Sequence, residues 1–271
     1  MSTLLCPTHG LRYDPAISAG CIRCRSERAP PPPRGSRRAL LATGAAGLAL
    51  AAAGAAVGSR GLGGLRALIS GSANEVEDVA FGARRGALFV PSSPSASDPC
   101  PLILLFDPGG GARNIVTRYA QAAAKLGWIA ASCSDAKNGS DDDADADAMM
   151  DLLAFVRTRR AVDASRIFAG GFSGGACGAY RLAIVKPDVV AGAVVECGHM
   201  GPWRKVGDLA SSKLRFYLFT REQDFNRPAT QNLKEVMAAK GCRVTEVEAP
   251  GGHAPIESGQ LEPALSWLIE A

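Results

Sequence analysis

The stretch "RIFAGGFSGGACG", residues 166 to 178, is apolar, then rich in glycine around one serine, then apolar again through Ile184. Ile167, Phe168 and Ala169 have the character of a buried strand end, and the residues after Gly175 that of a helix start. A strand that ends in glycine and restarts as a helix must turn sharply, which glycine permits. Gly171-Phe172-Ser173-Gly174-Gly175 is therefore G-x-S-x-G in a strand–turn–helix context. In that context the serine is held on a strained backbone and its hydroxyl projects as a nucleophile.

A serine hydroxyl is a weak nucleophile at neutral pH and needs a base that is itself oriented by a carboxylate. Such partners follow the serine in the order Asp or Glu, then His. Three histidines exist, and His9 and His199 are the other two. His253, in "APGGHAPIE" after the last strand-like run, is the expected base, and its glycines let the loop carry the ring toward Ser173. His199, just past a strand end, is a pocket-lining or a surface histidine. The acid should follow "RFYLFT": Asp224 is the choice and Glu222 the fallback in "REQDFNR". A tetrahedral intermediate also needs backbone donors at its oxyanion. Gly174 offers one; the second should come from "DPGGGAR", where Pro108 has no N–H, leaving Gly109 or Gly110.

Outward from this centre the chain alternates strand and helix. Residues 76–90 have the pattern of an antiparallel pair. Strand-like runs follow at 102–106, 128–133, 166–171, 189–196, 214–220 and 244–248, with helical patterns at 114–126, 144–159, 174–186, 227–240 and 257–270. Short apolar strands separated by amphipathic helices predict an α/β fold, a mostly parallel sheet covered on both faces, with the site at the strands' carboxyl ends. "SDDDADADAMMD" lacks the glycine and glutamate of a calcium loop, so its acids suit a helix N-terminus instead.

Residues 76–271 resemble the α/β-hydrolase superfamily through "DASRIFAGGFSGGA", "TREQDFNR" and "PGGHAPI". Within it they look like the small, capless branch of polyhydroxybutyrate-depolymerase-like, feruloyl-esterase-like and dienelactone-hydrolase-like proteins. The resemblance implies an α/β-hydrolase fold without a cap domain and a carboxylesterase using Ser173, His253 and Asp224 with no catalytic cofactor. A peptidase, a thioesterase and a silent binding module fit the same scaffold. Two departures stand out. Asp107-Pro108 replaces the His-Gly of many relatives, which bears on the oxyanion donors. Arg221 replaces a glycine that usually opens the acid turn, and is expected to tilt Asp224.

Ahead of this domain, residues 1–28 carry Cys6, His9, Cys21 and Cys24 as C-x2-H-x11-C-x2-C. Two close pairs of soft ligands meet the demands of a tetrahedral structural zinc, and so short a segment would draw its folding energy from the metal. This zinc-ribbon-like head resembles those preceding a membrane helix in some bacterial proteins, and it is expected to offer a surface to a protein partner. Residues 29–38 form a stiff Pro/Arg-rich spacer. Ala39 to Gly58 then runs without a charge, long enough to cross about 30 Å of hydrocarbon as one transmembrane helix. "SRRALLA", residues 36–42, also resembles a twin-arginine export signal. The anchor is preferred because no small-x-small cleavage site precedes Arg60. Residues 59–75 link to the hydrolase domain.

Charge follows the same division. Residues 1–71 carry a net +7 and residues 72–271 a net −3. Arginines crowd the side of the apolar stretch that holds the head, so the head is expected in the cytoplasm and the hydrolase domain outside it. The domain has no basic, aromatic-studded stripe, which excludes a nucleic-acid surface. Its expected partner is a small-molecule or oligomeric ester. Its five cysteines have no framework spacing, and Cys177 is expected as a packed core thiol.

Overall fold

The computed structural model describes residues 4–5, 7, 12–13, 75–92, 95, 97–199 and 213–270. The chain divides into two compact units, Met1–Gly58 and Ser59–Ala271. In the first, β1 (Leu4–Leu5) pairs antiparallel with β2 (Arg12–Tyr13). The expected zinc ligands Cys6, His9, Cys21 and Cys24 and the apolar stretch 39–58 lie outside the described residues. Among the described residues no helix is long and apolar enough to cross a membrane.

The second unit is built on one sheet. Its strands are β3 (Val76–Phe81), β4 (Arg84–Phe89), β5 (Cys100–Phe106), β6 (Ile129–Cys133), β7 (Val162–Phe172), β8 (Gly192–Glu196), β9 (Arg215–Arg221) and β10 (Arg243–Ala249). They lie in the order β10-β9-β8-β7-β5-β6-β4-β3. The β3–β4 and β4–β6 pairs are antiparallel and the other pairs parallel. The helices are α1 (Ala112–Leu126), α2 (Asp142–Arg159), α3 (Gly174–Val185), α4 (Arg227–Ala239) and α5 (Glu262–Ile269).

Every residue of β5, β6 and β8 is buried, which explains why these strands are unbroken apolar runs in the sequence. Side chains alternate across the pleat. Leu102, Leu104 and Phe106 join the layer of Met149, Leu152 and Tyr180 from α2 and α3. Ile103 and Leu105 face the other way, into the layer of Tyr119, Trp128 and Leu265 built on α1 and α5. The two layers hold β7 rigidly at the sheet's centre, and the residue after it is Ser173.

Several boundaries differ from the sequence expectation: the last helix runs only over Glu262–Ile269, after a 3-10 turn at Ser258–Gln260, and the strand expected at 189–196 starts at Gly192. Two further differences have local reasons. Helix α2 starts at Asp142 because the Asp141 side chain accepts the N–H groups of Asp143 and Ala144, both at 3.0 Å. Such an N-cap stabilises by about 1 kcal/mol. Strand β7 starts at Val162, which pairs with Cys100. Its polar opening is supported by Asp163, which accepts from Ser165 N–H at 2.8 Å and from Arg166 Nε at 2.6 Å.

Candidate active site

The turn between β7 and α3 puts Ser173 at φ 56° and ψ −120°. Ser173 and Cys197 are the two non-glycine residues with positive φ among the described residues. That strain is held by packing. A Cβ on Gly171 would come within 2.7 Å of the Phe106 carbonyl oxygen and 2.6 Å of that of Gly175, and a Cβ on Gly175 would collide with the same Phe106 carbonyl. Glycines are therefore required because β5 and the start of α3 approach each other backbone to backbone. The Ser173 N–H donates to the Glu196 carbonyl at 2.8 Å, which tethers the turn to β8.

His253 and Asp224, 80 and 29 residues from their partners in sequence, meet Ser173 in one chain of hydrogen bonds. Ser173 Oγ lies 2.9 Å from His253 Nε2, and His253 Nδ1 lies 3.0 Å from Asp224 Oδ2 and 3.1 Å from Oδ1. With the imidazole neutral and its proton on Nδ1, Nδ1–H donates to the carboxylate and Nε2 accepts the serine hydroxyl. The Asp224 side chain is fully buried. Burial pushes its carboxyl up, but hydrogen bonds from the Cys197 thiol, the Asn226 N–H and His253 outweigh it, and the group is held below the ordinary carboxylate value. Glu222, the fallback acid, is exposed, while the imidazole bonds Asp224. Phe172 and Phe225 lie against the imidazole, with ring centroids 4.8 and 4.3 Å away.

The histidine loop is anchored at several points. Arg221 donates from Nε to the Ala254 carbonyl at 3.1 Å, and from its two terminal nitrogens to Pro250 at 2.8 Å and Pro255 at 2.9 Å. The expectation that Arg221 tilts Asp224 is thus replaced: its side chain crosses from the end of β9 to clamp the loop carrying His253. A second anchor is buried beneath it. Glu196, fully buried at the end of β8, accepts from both terminal nitrogens of Arg118 at 2.6 and 2.9 Å, from Tyr119 Oη at 2.6 Å and from the Ile256 N–H at 2.8 Å. Arg118 also donates to the Ile256 carbonyl at 3.0 Å. Nothing in the sequence set Glu196 apart, because an acid at a strand end is ordinarily solvated.

The donor side of Ser173 departs from expectation. The Gly109 and Gly111 N–H groups both donate to Asp107 Oδ1 at 2.8 Å, and the Gly110 N–H closes a turn on the Asp107 carbonyl at 3.1 Å. Neither Gly109 nor Gly110 therefore presents a free donor: the Asp107 carboxylate takes the first N–H and the Asp107 backbone carbonyl the second. Gly174 is the first residue of α3, and its N–H has no intrahelical acceptor. Beside it opens a cleft of about 170 Å³ lined by Asn138, Gly174, Cys177, Arg181, Asp142 and His199, among others. His199 is a wall of this cleft. Burial, then the charges of Arg181 and His253, lower its pKa, which favours the neutral ring.

Cys197, Asp224 and His253 place potential metal ligands within 4.8 Å of one another. The imidazole and carboxylate already bond each other, and burial followed by the neighbouring Asp224 pushes the thiol well up, so it stays protonated. The trio is a hydrogen-bonded cluster in which Cys197 Sγ–H also lies 3.3 Å from the Ala254 carbonyl. All five cysteines of this unit are buried and unpaired by disulfides, and Cys177 packs in the core as expected.

No protein-family model matches the chain, and no curated protein matches it. Solved structures do. An esterase of the fungus Rhizomucor miehei is 13% identical with a TM-score of 0.58, over 72% of this chain and 83% of that one. EstE1, a thermophilic carboxylesterase cloned from a metagenomic library, is 16% identical with a TM-score of 0.57, over 75% and 91%. FphF, a fluorophosphonate-binding serine hydrolase of Staphylococcus aureus, is 13% identical with a TM-score of 0.56, over 73% and 99%. At such identities the likeness establishes the fold: the described residues from 75 onward adopt the α/β-hydrolase fold, shared with esterases and serine hydrolases.

Proposed function

We propose that the chain is a serine hydrolase, a carboxylesterase that forms an acyl-enzyme on Ser173. The observation that carries this reading is the hydrogen-bonded line from Ser173 Oγ through His253 to Asp224, at 2.9 and 3.0 Å, with the serine on a positive-φ turn. As Ser173 Oγ attacks the ester carbonyl, His253 Nε2 takes its proton and Asp224 stabilises the imidazolium. The imidazolium then protonates the leaving alcohol. Water, deprotonated by the same nitrogen, releases the acid and regenerates the serine. The Gly174 N–H faces the developing oxyanion. The chemistry requires no metal or organic cofactor, and the substrate is a small or oligomeric ester.

The tests are hydrolysis of short-chain aryl esters and labelling by a fluorophosphonate, each with wild type and with Ser173→Ala. Turnover and labelling that both depend on Ser173 support the reading. A second reading, a silent module that binds without turnover, draws on the occupied Gly109 and Gly110 donors. It requires that wild type and Ser173→Ala be equally inert.

The sequence ahead of the domain extends the proposal. A structural zinc on Cys6, His9, Cys21 and Cys24 would fold a cytoplasmic head that offers a surface to a protein partner, and residues 39–58 would tether the hydrolase outside the cytoplasm. Metal analysis of the full chain in detergent should give one zinc per chain, lost in a Cys21→Ser/Cys24→Ser variant. Protease added to spheroplasts should digest the hydrolase domain and spare the head. A freely soluble, shortened domain would point instead to a cleaved export signal.

A further inference from the structure

The Gly174 N–H alone is a sparse oxyanion site, and the loop expected to complete it has turned its N–H groups onto Asp107. The replacement donor must reach the same point from elsewhere. We propose that the side-chain amide of Asn138, on the loop between β6 and α2, is the second oxyanion donor. This inference rests on the hydrolase reading above.

Three observations converge on Asn138. First, its amide lies directly on the backbone of Gly174: a Cβ added there would collide with Asn138 Oδ1, the nearest atom, and stand 2.6 Å from Cγ and 2.7 Å from Nδ2. A Cβ stands roughly 2.5 Å from its own backbone nitrogen, so Nδ2 lies within about 5 Å of the Gly174 nitrogen. Two N–H donors about 2.9 Å from one oxygen are separated by at most about 5.8 Å. The separation is thus within the reach of one oxygen once the nitrogen end of the amide is turned toward it.

Second, the loop is fixed while the amide is uncommitted. The Asn138 N–H donates to the Pro108 carbonyl at 3.1 Å, which ties the loop to the same Asp107–Gly111 turn that withholds its own donors. Ser140 Oγ closes the loop by accepting the Lys137 N–H at 3.1 Å and donating to the Lys137 carbonyl. Gly139, at φ 86°, supplies the left-handed step between them. The Asn138 side chain itself is exposed and has no hydrogen-bond partner among the described residues. A half-turn about χ2 exchanges its nitrogen and oxygen without moving the backbone, so the NH2 end is available to an oxyanion.

Third, Gly174 and Asn138 line the same cleft beside the serine turn. A substrate carbonyl attacked by Ser173 with its oxygen toward Gly174 presents that oxygen to Asn138 as well. The requirement for glycine at 174 follows, since any side chain there would displace the amide. The charge logic agrees. A neutral amide donor stabilises developing negative charge, whereas the Asp107 carboxylate is engaged by two N–H groups of its own loop.

The test is steady-state kinetics on an aryl ester for wild type, Asn138→Ala, Asn138→Asp and Gly174→Ala, with the affinity of an aryl boronic acid, whose tetrahedral adduct carries the oxyanion. Unfolding midpoints establish that each variant is folded. Removing one side-chain oxyanion donor is expected to lower kcat by about 10²-fold, with KM within about twofold and boronate affinity falling in step with kcat. Asn138→Asp should lose more, since it places a carboxylate against the oxyanion. Gly174→Ala combined with Asn138→Ala should lose no more than the worse single variant, because both remove one contact. Unchanged kcat in Asn138→Ala, or a rise in KM alone, overturns the inference while Ser173-dependent turnover of the wild type upholds the hydrolase reading. A wild type without Ser173-dependent turnover overturns both.

Discussion

The two sides of Ser173 are built on opposite principles. On the acid–base side, His253 and Asp224 come from separate loops that distant residues tie down: Arg221 holds three carbonyls of the histidine loop, and buried Glu196 joins that loop to α1 through Arg118, Tyr119 and the Ile256 N–H. On the donor side, the Asp107–Gly111 turn satisfies itself, with one carboxylate oxygen taking two of its N–H groups. Cross-linked polar networks fix a geometry that no single loop would keep. A self-satisfied turn is stable alone but offers nothing to a ligand. On the proposed reading, the first side is poised for proton transfer and the second draws its second donor from the neighbouring loop.

The largest effect that would sharpen this contrast is on the acid. Asp224→Asn removes the charge and disturbs the tautomer of His253, and kcat should fall by about 10⁴-fold, as in triads generally. It should also change the acid limb of stability. Because the folded-state pKa is depressed, the stabilisation from Asp224 is present above the ordinary carboxylate value and lost as pH falls through the lowered one. Urea unfolding of Asp224→Asn should therefore be less sensitive to pH in that window than wild type.

Next in size is the buried anchor. Arg118→Leu leaves the fully buried Glu196 carboxylate without its cation, and removing one partner of such a pair costs about 3–5 kcal/mol. Urea unfolding measures it, and a cost below about 1 kcal/mol would mean that the Arg118–Glu196 pair does not anchor the loop. Arg221→Gln should leave the fold intact and lower kcat about ten- to a hundredfold, the equivalent of about 1.5–3 kcal/mol for charge-assisted bonds. Equal kcat in that variant would break the contrast, because the loop would then hold itself. The smallest effect is expected at Glu222→Gln, an exposed site where activity should stay within about twofold. A loss there to match Asp224→Asn would reassign the acid.

The sheet was legible because its central strands are buried on both faces, so runs such as "LILLF" and "AVVE" stand out without alternation. Ser173 was legible from glycines whose reason is local, the close passage of Phe106 and Gly175. Asp224 and His253 followed from chain order. What the sequence concealed was how side chains far apart along the chain are spent. Arg221 was visible as a departure, but its three acceptors lie around His253. Glu196 and Arg118 are 78 residues apart, and neither carries a local signal of burial. Asp107 was visible as a substitution, yet only the folded turn shows its carboxylate occupying the Gly109 donor. "KNGS" has the composition of a simple turn, and that Asn138 reaches Gly174 depends on β6 lying beside β5 in the sheet.

The central claim is that Ser173 is a nucleophile activated by His253. Intact-mass analysis after incubation with a fluorophosphonate tests it most directly. Wild type should gain the mass of one phosphonyl group per chain, mapped by peptide sequencing to Ser173. Ser173→Ala should gain none, and His253→Ala should be labelled far more slowly. An unmodified wild type, or equal labelling of Ser173→Ala, would contradict it.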